Sequence, residues 1–561
     1  MHHAGLARTD ITVYEPGITL MGWGLPHQQA QGVTLPLHAR ALVLRGGDAT
    51  LAYVAVELLA VSRGLWMEVC EALRTQHPSL GLAEHNVAVV ATHTHSGPSG
   101  YAHSFWMQLN APGFSAKVHD TLVEGIVASI VAAHAALAPS TLVLAEGEVS
   151  REAGVAFNRS WFAYSQNHDA ERVPFAERDQ AVHRTMTLLR IHGADGKLRG
   201  VVDWFGLHNT CVHGDNDALH SDHKGLAASA LEDRHGIVAL FAQECCGDIS
   251  PNFRPDPTRA HTTGLHDDDH KNARRVADAQ VAVAETLLHV PGQVLTGPIE
   301  MITELVDMSD AAADARFTVD GQPQRTRGAV IGISMALGTA EGRGPLWPMR
   351  GALAALHGAR RAVDRARGAV RTHDPLIPFV DLAGGSRGKI LGLLPVRHLP
   401  PLDPVFRWIR ERVRTGDAGS EPWMPPVLPI QLIRIGGLVV ATVPNEPTTV
   451  SGRRLRDTLR AALPDDVRHV VISPYANAYA GYLTTAEEYQ VQHYEAGYTI
   501  YGPHTLAAVQ TVLDGLARRV GKGLPTLVGT LPPKRSREAL ERMAFKTPWP
   551  TVTALGRPAR P

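Results

Sequence analysis

NVAVVATHTHSGPSGY, residues 86–101, runs a short valine-rich strand directly into a histidine loop. Residues 86–91 have the composition of a buried strand, and Thr92-His93-Thr94-His95-Ser96-Gly97-Pro98 follows without a break. A strand end that opens into a Gly/Pro loop is where open α/β sheets place their ligands. In an extended H-x-H segment side chains alternate with period two, so both imidazoles can face one side, and neutral imidazole is a good zinc ligand. The pattern alone is weak, because the chain holds 29 histidines and a surface or hydrogen-bonded histidine is the commoner case.

The same order, apolar run and then polar loop, recurs along the chain. Residues 41–44, 51–56, 187–191, 201–205, 237–241, 438–443 and 469–472 have strand composition. Residues 65–74, 117–137, 272–288 and 452–462 read as helices, the second from apolar residues at helical spacing. Strand–helix alternation predicts an α/β fold, a mixed and mostly parallel sheet flanked by helices, in one large domain over residues 1–530. Residues 340–430, rich in Gly, Pro and Arg, are expected as a loop-rich, lid-like excursion with a helix. Residues 531–561 are expected as a loosely packed tail.

Bulk properties remove several function classes. With 44% hydrophobic and 19% charged residues over 561 positions, the chain has core enough and is not globally disordered. A formal net charge of -1 leaves no basic surplus for nucleic acid. The basic run at 350–371 is interleaved with uncharged residues and reads as a solvated helix face. The four cysteines, Cys70, Cys211, Cys245 and Cys246, form no even-spaced framework and no CxxC pair, against both a disulfide scaffold and a Cys-type zinc site. No apolar run approaches the ~18 residues of a membrane-spanning helix. The amino-terminal MHHAGLARTDITVYEPG lacks the basic start and apolar run of a secretory signal, which points to the cytoplasm. Oligomeric state is not legible.

Four further polar motifs follow candidate strands. They are Leu207-His208-Asn209-Thr210, Gln243-Glu244-Cys245-Cys246-Gly247-Asp248-Ile249-Ser250-Pro251-Asn252, Pro444-Asn445-Glu446-Pro447-Thr448-Thr449, and Tyr475-Ala476-Asn477-Ala478-Tyr479-Ala480-Gly481-Tyr482. Loops at the carboxyl ends of strands are expected to converge on one rim.

These segments carry a resemblance. Residues 86–101 resemble the histidine motif of the neutral/alkaline (non-lysosomal) ceramidase family. So do Met21-Gly22-Trp23-Gly24 with Arg40, Asn158-Arg159-Ser160, the Gly247-to-Asn252 stretch, and Ser451-Gly452-Arg453-Arg454-Leu455-Arg456. The longest match is residues 475–506, YANAYAGYLTTAEEYQVQHYEAGYTIYGPHTL. The motifs lie in order over roughly residues 5–515.

The resemblance implies an amidohydrolase with one zinc ion per chain. It assigns the metal to His93, His208, Glu446 and a tyrosine best matched by Tyr482, with Tyr479 as the alternative. It gives His95 a contact to substrate or the reacting amide, and makes Arg159 and Tyr494 substrate or transition-state contacts. Two imidazoles and a carboxylate keep an open zinc position for water, whose pKa falls toward ~7 for attack on an amide carbonyl. Arg159 or Tyr494 then stabilises the oxyanion, and His95 passes a proton to the leaving amine. The implied substrate is an N-acyl lipid, with ceramide cleaved to sphingoid base and fatty acid as the reference. A soluble N-acyl amide or ester, or a catalytically silent binder with the same fold, are the alternatives.

Ser250 invites a rival reading, since the G-D-x-S-P-N motif has been read in this family as carrying a serine nucleophile. Ser250 lies outside a G-x-S-x-G elbow and is followed by Pro251, so a loop serine that shapes the site is the simpler expectation. His261, His266 and His270 with Asp267, Asp268 and Asp269 are weighed as a second metal site against a solvated loop. Asp222 and Lys224 are expected to be structural or to orient ligands. The chain departs from the family at Pro447, His183 and Glu244-Cys245-Cys246, which places substrate identity in question more than the metal. The family typically has a signal and a carboxyl-terminal β-sandwich. Its signal implies secretion, whereas residues 507–561 are too few for a β-sandwich of ~100 residues.

Overall fold

A computed structural model describes residues 2–16, 18–25, 28–109, 113–256, 261–344, 346–366, 373–392, 394–399, 404–419 and 421–544. Two sheets carry the fold. The first has nine strands: β1 (His2–Asp10), β2 (His38–Gly46), β3 (Ala49–Val56), β4 (Val87–Ala91), β5 (Ala138–Glu148), β6 (Thr185–Gly193), β7 (Leu198–Trp204), β8 (Val238–Ala242) and β9 (Gln293–Leu295). Their order is β8-β7-β6-β5-β1-β2-β3-β4, with β9 also pairing β5. The second sheet contains β10 (Ile299–Asp307), β11 (Val427–Ile435), β12 (Leu438–Thr442), β13 (His469–Ser473) and β14 (Leu527–Val528), in the order β13-β12-β11-β10-β14.

The mixed α/β class holds, but most pairs are antiparallel rather than parallel, and connection length is the reason. Two-residue links join β2 to β3 and β11 to β12, with Gly47 and Gly436 at positive φ of 60° and 56°. Such tight turns return the chain antiparallel. Three parallel pairs occur where a helix makes the crossover: α1 (Arg63–Gln76) between β3 and β4, α3 (Asp222–His235) between β7 and β8, and α5 (Thr449–Ala462) between β12 and β13. Helices α2 (Ala116–Ala135), α4 (Asp269–His289) and α6 (Thr505–Ala517) complete the covering layers.

The apolar runs are buried on both faces, as in β2, where residues 39–44 are all buried. One face packs on helices and the other on the second sheet. Leu42, Leu44, Val90, Leu189 and Trp204 of the first sheet share a core cluster with Met301, Ile433, Val440 and Val471 of the second. The expected single sheet between helices is therefore two stacked sheets between helices. A strand with both faces covered shows no alternation, and its sequence does not say which kind of layer covers it.

Lys224 of α3 is fully buried and ties two strand ends together. Its ammonium donates to Phe205 O at 2.7 Å and Ala242 O at 3.1 Å, and lies 3.8 Å from Asp203. Burial lowers Lys224 to about 8 and raises Asp203 to about 7, their mutual attraction opposing both shifts. Lys224→Met leaves both carbonyls and Asp203 without that donor. The expected loss is about 3 kcal/mol, the order found when one partner of a buried pair is removed. Urea unfolding measures it, and an unchanged midpoint would refute the structural role.

Among the described residues the 340–430 excursion holds two long helices, Arg350–Ala366 and Pro404–Thr415, rather than one. The start of the tail is packed, with Lys534 ion-paired to Glu68 and Arg537 to Asp120. The rest of the expected tail, residues 545–561, lies outside the described residues.

Candidate active site

Register brings the loops together. Val56 lies opposite Ala91, Trp204 opposite Ala242, and Thr442 opposite Ser473, so the carboxyl ends of parallel neighbours finish side by side. A seam joins the two sheets there: Asn477 N donates to Val89 O, and Val89 N to the Asn477 side-chain oxygen, both at 2.8 Å. His93, Tyr475 and Asn477 take positive φ of 68°, 56° and 59°. That conformation is uncommon for residues with a Cβ and concentrates at functional sites.

Three acceptors converge at the floor of the rim. His93 Nδ1 donates to Leu59 O at 2.7 Å and His208 Nδ1 to Cys246 O at 2.8 Å. Those carbonyls fix the tautomers and turn each Nε2 lone pair inward. The two Nε2 atoms lie 3.6 and 3.4 Å from Glu446 Oε2. His95 Nε2 is 3.2 Å from His93 Nε2, and the ligand atoms of His93, His95 and His208 lie within 4.8 Å of one another. Burial holds all three imidazoles below their ordinary value, hence neutral. Two lone pairs and a carboxylate turned on one point suit a cation.

The carboxylate is itself oriented. Tyr479 OH donates to Glu446 Oε1, and Tyr475 OH to Oε2 at 3.1 Å. Tyr482 OH lies 3.3 Å from His208 Nε2 and accepts from Arg159 Nη2 at 2.8 Å. Of the two tyrosines weighed from sequence, Tyr482 thus sits beside the imidazole and Tyr479 behind the carboxylate.

Arg159 is buried between two acids, donating through Nε to Glu495 at 3.0 Å and through Nη1 to Glu341, with Nη2 also on Gly247 O at 2.9 Å. Burial alone would lower its pKa; Tyr482, Glu341 and Glu495 outweigh that and keep it charged. Tyr494 lies with its ring centroid 5.9 Å from the guanidinium carbon. Ser250, fully buried, donates to Glu341 Oε1, which also accepts from Thr210 and Asn252, each at 3.2 Å. Burial would raise Glu341, but Arg159 and the Ser250 hydroxyl hold it below its ordinary value, which makes it a poor base for serine. Glu341 and Glu495 were not singled out from sequence. Glu341 falls in the Gly-rich excursion, and Glu495 stands within a quoted motif that gave no hint of its pairing with Arg159.

Other sequence candidates lie away from the converging acceptors, although His261 stands in the wall of the cavity above them. His261 stacks on His213 at 4.1 Å and His270 meets His220 at 3.1 Å. Neither joins a metal-like group among the described residues. Cys211, Asp222 and His223 do form one, but His223 spends both nitrogens, Nε2 on His208 O at 2.9 Å and Nδ1 on Gln280 at 3.0 Å. It braces the His208 loop instead. His183 pairs with Glu244 at 2.8 Å, and Glu244 with Arg456. None of His183, Cys245, Cys246 and Pro447 lines the cavity, so the departures from the family lie beneath the site and not in its wall.

Above the floor lies a cavity of about 520 Å³, walled by Trp23, Leu25, Trp106, Met107, Met335 and Phe379, with His95, Arg159, Tyr482 and Tyr494 at its reactive end. Largely apolar walls with a few converging polar groups are what a small-molecule site requires.

A family model described as neutral/alkaline non-lysosomal ceramidase, N-terminal, matches residues 2–352 and 412–511. The chain is 32% identical over 543 residues to the neutral ceramidase of Pseudomonas aeruginosa, covering 95% of this chain and 74% of that one. It is 30% identical over 546 residues to the neutral ceramidase of Mycobacterium tuberculosis, covering 95% and 79%. The crystal structure of the Pseudomonas aeruginosa neutral ceramidase superposes with a TM-score of 0.76 at 31% identity, covering 97% of this chain and 78% of that one.

Proposed function

The chain belongs to the neutral/alkaline non-lysosomal ceramidase family of amidohydrolases, and from that premise we propose that it uses zinc to cleave the amide bond of an N-acyl lipid, with ceramide giving sphingoid base and fatty acid as its reference reaction. The observation that carries the reading is the convergence of His93 Nε2, His208 Nε2 and Glu446 Oε2 beneath a largely apolar cavity, with Tyr482 at 3.3 Å from one imidazole. These four residues would hold the ion, and a zinc ion supplies Lewis acidity and an activated water.

The chain's own groups divide the remaining work. Tyr479 and Tyr475 orient the Glu446 carboxylate. Arg159, fixed between Glu341 and Glu495, offers a preorganised positive charge, and Tyr494 a hydroxyl, to an oxyanion at the cavity's reactive end. His95, neutral and with its Nδ1 unpartnered, has a lone pair to take up the proton released by the attacking water and then pass it to the departing amine. The apolar wall gains about 0.8 kcal/mol per methylene of an acyl arm buried against it.

Substrate preference tests the reading. Turnover of a long-chain ceramide in detergent is expected to exceed that of short N-acyl amino compounds, since the wall rewards length and the divergent residues stay out of it. Preference for a short, polar acyl group over every long-chain amide would defeat the lipid assignment while leaving the metal site untouched.

Ser250 is expected to form no acyl adduct. Its hydroxyl proton is committed to Glu341 and its Oγ accepts from Asn252 N at 2.9 Å. Mass spectrometry of a reaction quenched during turnover checks this; an acyl group on Ser250 that forms and decays at the catalytic rate would establish the serine mechanism instead.

A further inference from the structure

Cys245 and Cys246 are adjacent and both fully buried, yet they meet different neighbours. Cys245 packs against α5, where a Cβ at Gly452 would stand 2.4 Å from its sulfur. Cys246 instead places Sγ 3.1 Å from the hydroxyl of Tyr475, itself fully buried.

The direction of that contact follows from counting hydrogens. A phenol has one, and Tyr475 gives it to Glu446 Oε2 at 3.1 Å. The Tyr475 oxygen is therefore the acceptor and the Cys246 thiol the donor. A thiol ordinarily keeps its hydrogen at neutral pH, and apolar burial favours that neutral form further. The result is a relay, Cys246 S–H to Tyr475 O–H to Glu446 Oε2. A hydroxyl that accepts one bond is polarised and donates the next more strongly.

The relay ends where the acceptors converge. The Tyr475 ring stacks on His93, with centroids 4.2 Å apart and planes inclined by 21°. Its backbone, at a positive φ of 56°, accepts from Ala91 N at the end of β4 at 3.3 Å. Cys246 also presents its own carbonyl to His208 Nδ1 at 2.8 Å. The next residue fastens this loop to that of Glu446, with Gly247 N donating to Pro447 O at 2.9 Å. Cys246 and Tyr475 thus reach His208 through a carbonyl, Glu446 through a hydroxyl and His93 through a ring face.

We propose that Cys246 is a positioning residue of the metal centre, its thiol hydrogen holding the Tyr475 hydroxyl on Glu446 and so setting the carboxylate for the ion. The proposal rests on the zinc reading and deepens it. Partners that orient metal ligands are worth roughly 10–100-fold in metal affinity or activity. A weak donor two bonds from the carboxylate belongs at the lower end of that range.

Zinc affinity of the full chain, measured by chelator competition beside urea midpoints, separates this role from simple packing. Cys246→Ala should weaken zinc about ten-fold, whereas Cys246→Ser, which restores a donor, should stay within about three-fold of the unsubstituted chain. Packing alone predicts the reverse rank, because a hydroxyl is costlier to bury than a methyl. The visible absorption of the cobalt(II)-loaded chain reads ligand geometry, and should change in Cys246→Ala and return in Cys246→Ser. In a Tyr475→Phe background the acceptor is gone, so serine and alanine at this position should bind zinc alike. Unchanged affinity in Cys246→Ala, serine no better than alanine, or a serine advantage that persists beside Tyr475→Phe would overturn the proposal and leave the zinc reading standing. An unsubstituted chain that binds no zinc would overturn both. Should Tyr475→Phe not fold, the serine–alanine comparison in the unsubstituted background decides.

Discussion

Replacing His208 with alanine is expected to empty the metal centre and to lower amide turnover by at least about a thousandfold, because several kcal/mol of metal-derived transition-state stabilisation disappear at 1.36 kcal/mol per decade. His208 Nε2 lies 3.4 Å from Glu446 Oε2 and 3.3 Å from Tyr482 OH, so it touches both other kinds of donor. His93→Ala and Glu446→Ala are expected to behave alike, each removing one converging acceptor. Tyr479→Phe should be milder: it removes the hydroxyl that orients Glu446 and leaves the acceptors in place, a loss of roughly 10–100-fold in metal affinity or activity. Metal content of folded variants and single-substrate kinetics are the measurements. Full zinc occupancy in all three alanine variants would remove the centre from these residues, whatever the activity.

The centre was legible to the extent that chemistry follows strands. His93, His208 and Glu446 each stand a few residues past an apolar run, so strand-end reasoning marked their loops, while the choice of these residues as ligands came from the family resemblance. What the residues did not reveal was the support. Glu341 lies in a Gly-rich excursion without periodicity, and its bonds to Arg159 and Ser250 span 182 and 91 positions. A carboxylate of that kind looks from sequence like any surface acid. The second sheet was hidden for another reason. In β2 both the Ala41/Val43 side and the Leu42/Leu44 side are apolar, which says that both faces are covered but not that one cover is a sheet. The share of parallel pairing was legible only where a helical pattern was read between two runs, as at α1 and α5, and the α3 crossover was missed.

Arg159→Met should give the second large effect, and by a separable route. The guanidinium is the common donor to Glu341, Glu495, Gly247 O and Tyr482 OH. Its removal takes an oxyanion donor from the cavity, which costs about 100–1000-fold in kcat. It also strands two buried carboxylates, and breaking a buried pair costs about 3–5 kcal/mol. In the unsubstituted chain Glu341 is held below its ordinary value, so its contribution to stability is present above the unfolded carboxylate pKa and is lost as pH falls through the folded one. Without Arg159 the effect of burial is opposed by less, the Ser250 hydroxyl and His213 remaining, and Glu341 rises. The variant's deficit should then be greatest at neutral pH and shrink as pH falls, because protonation relieves the stranded charge. Arg159→Lys keeps a charge but not the planar fork, and should recover more stability than activity. Urea midpoints at pH 7.5 and pH 5, read beside kcat and metal content, separate these effects. Zinc should stay bound in both variants, since Arg159 contributes no metal-ligating atom. Loss of zinc together with activity would place Arg159 among the supports of the metal, and undiminished kcat would remove it from the reaction.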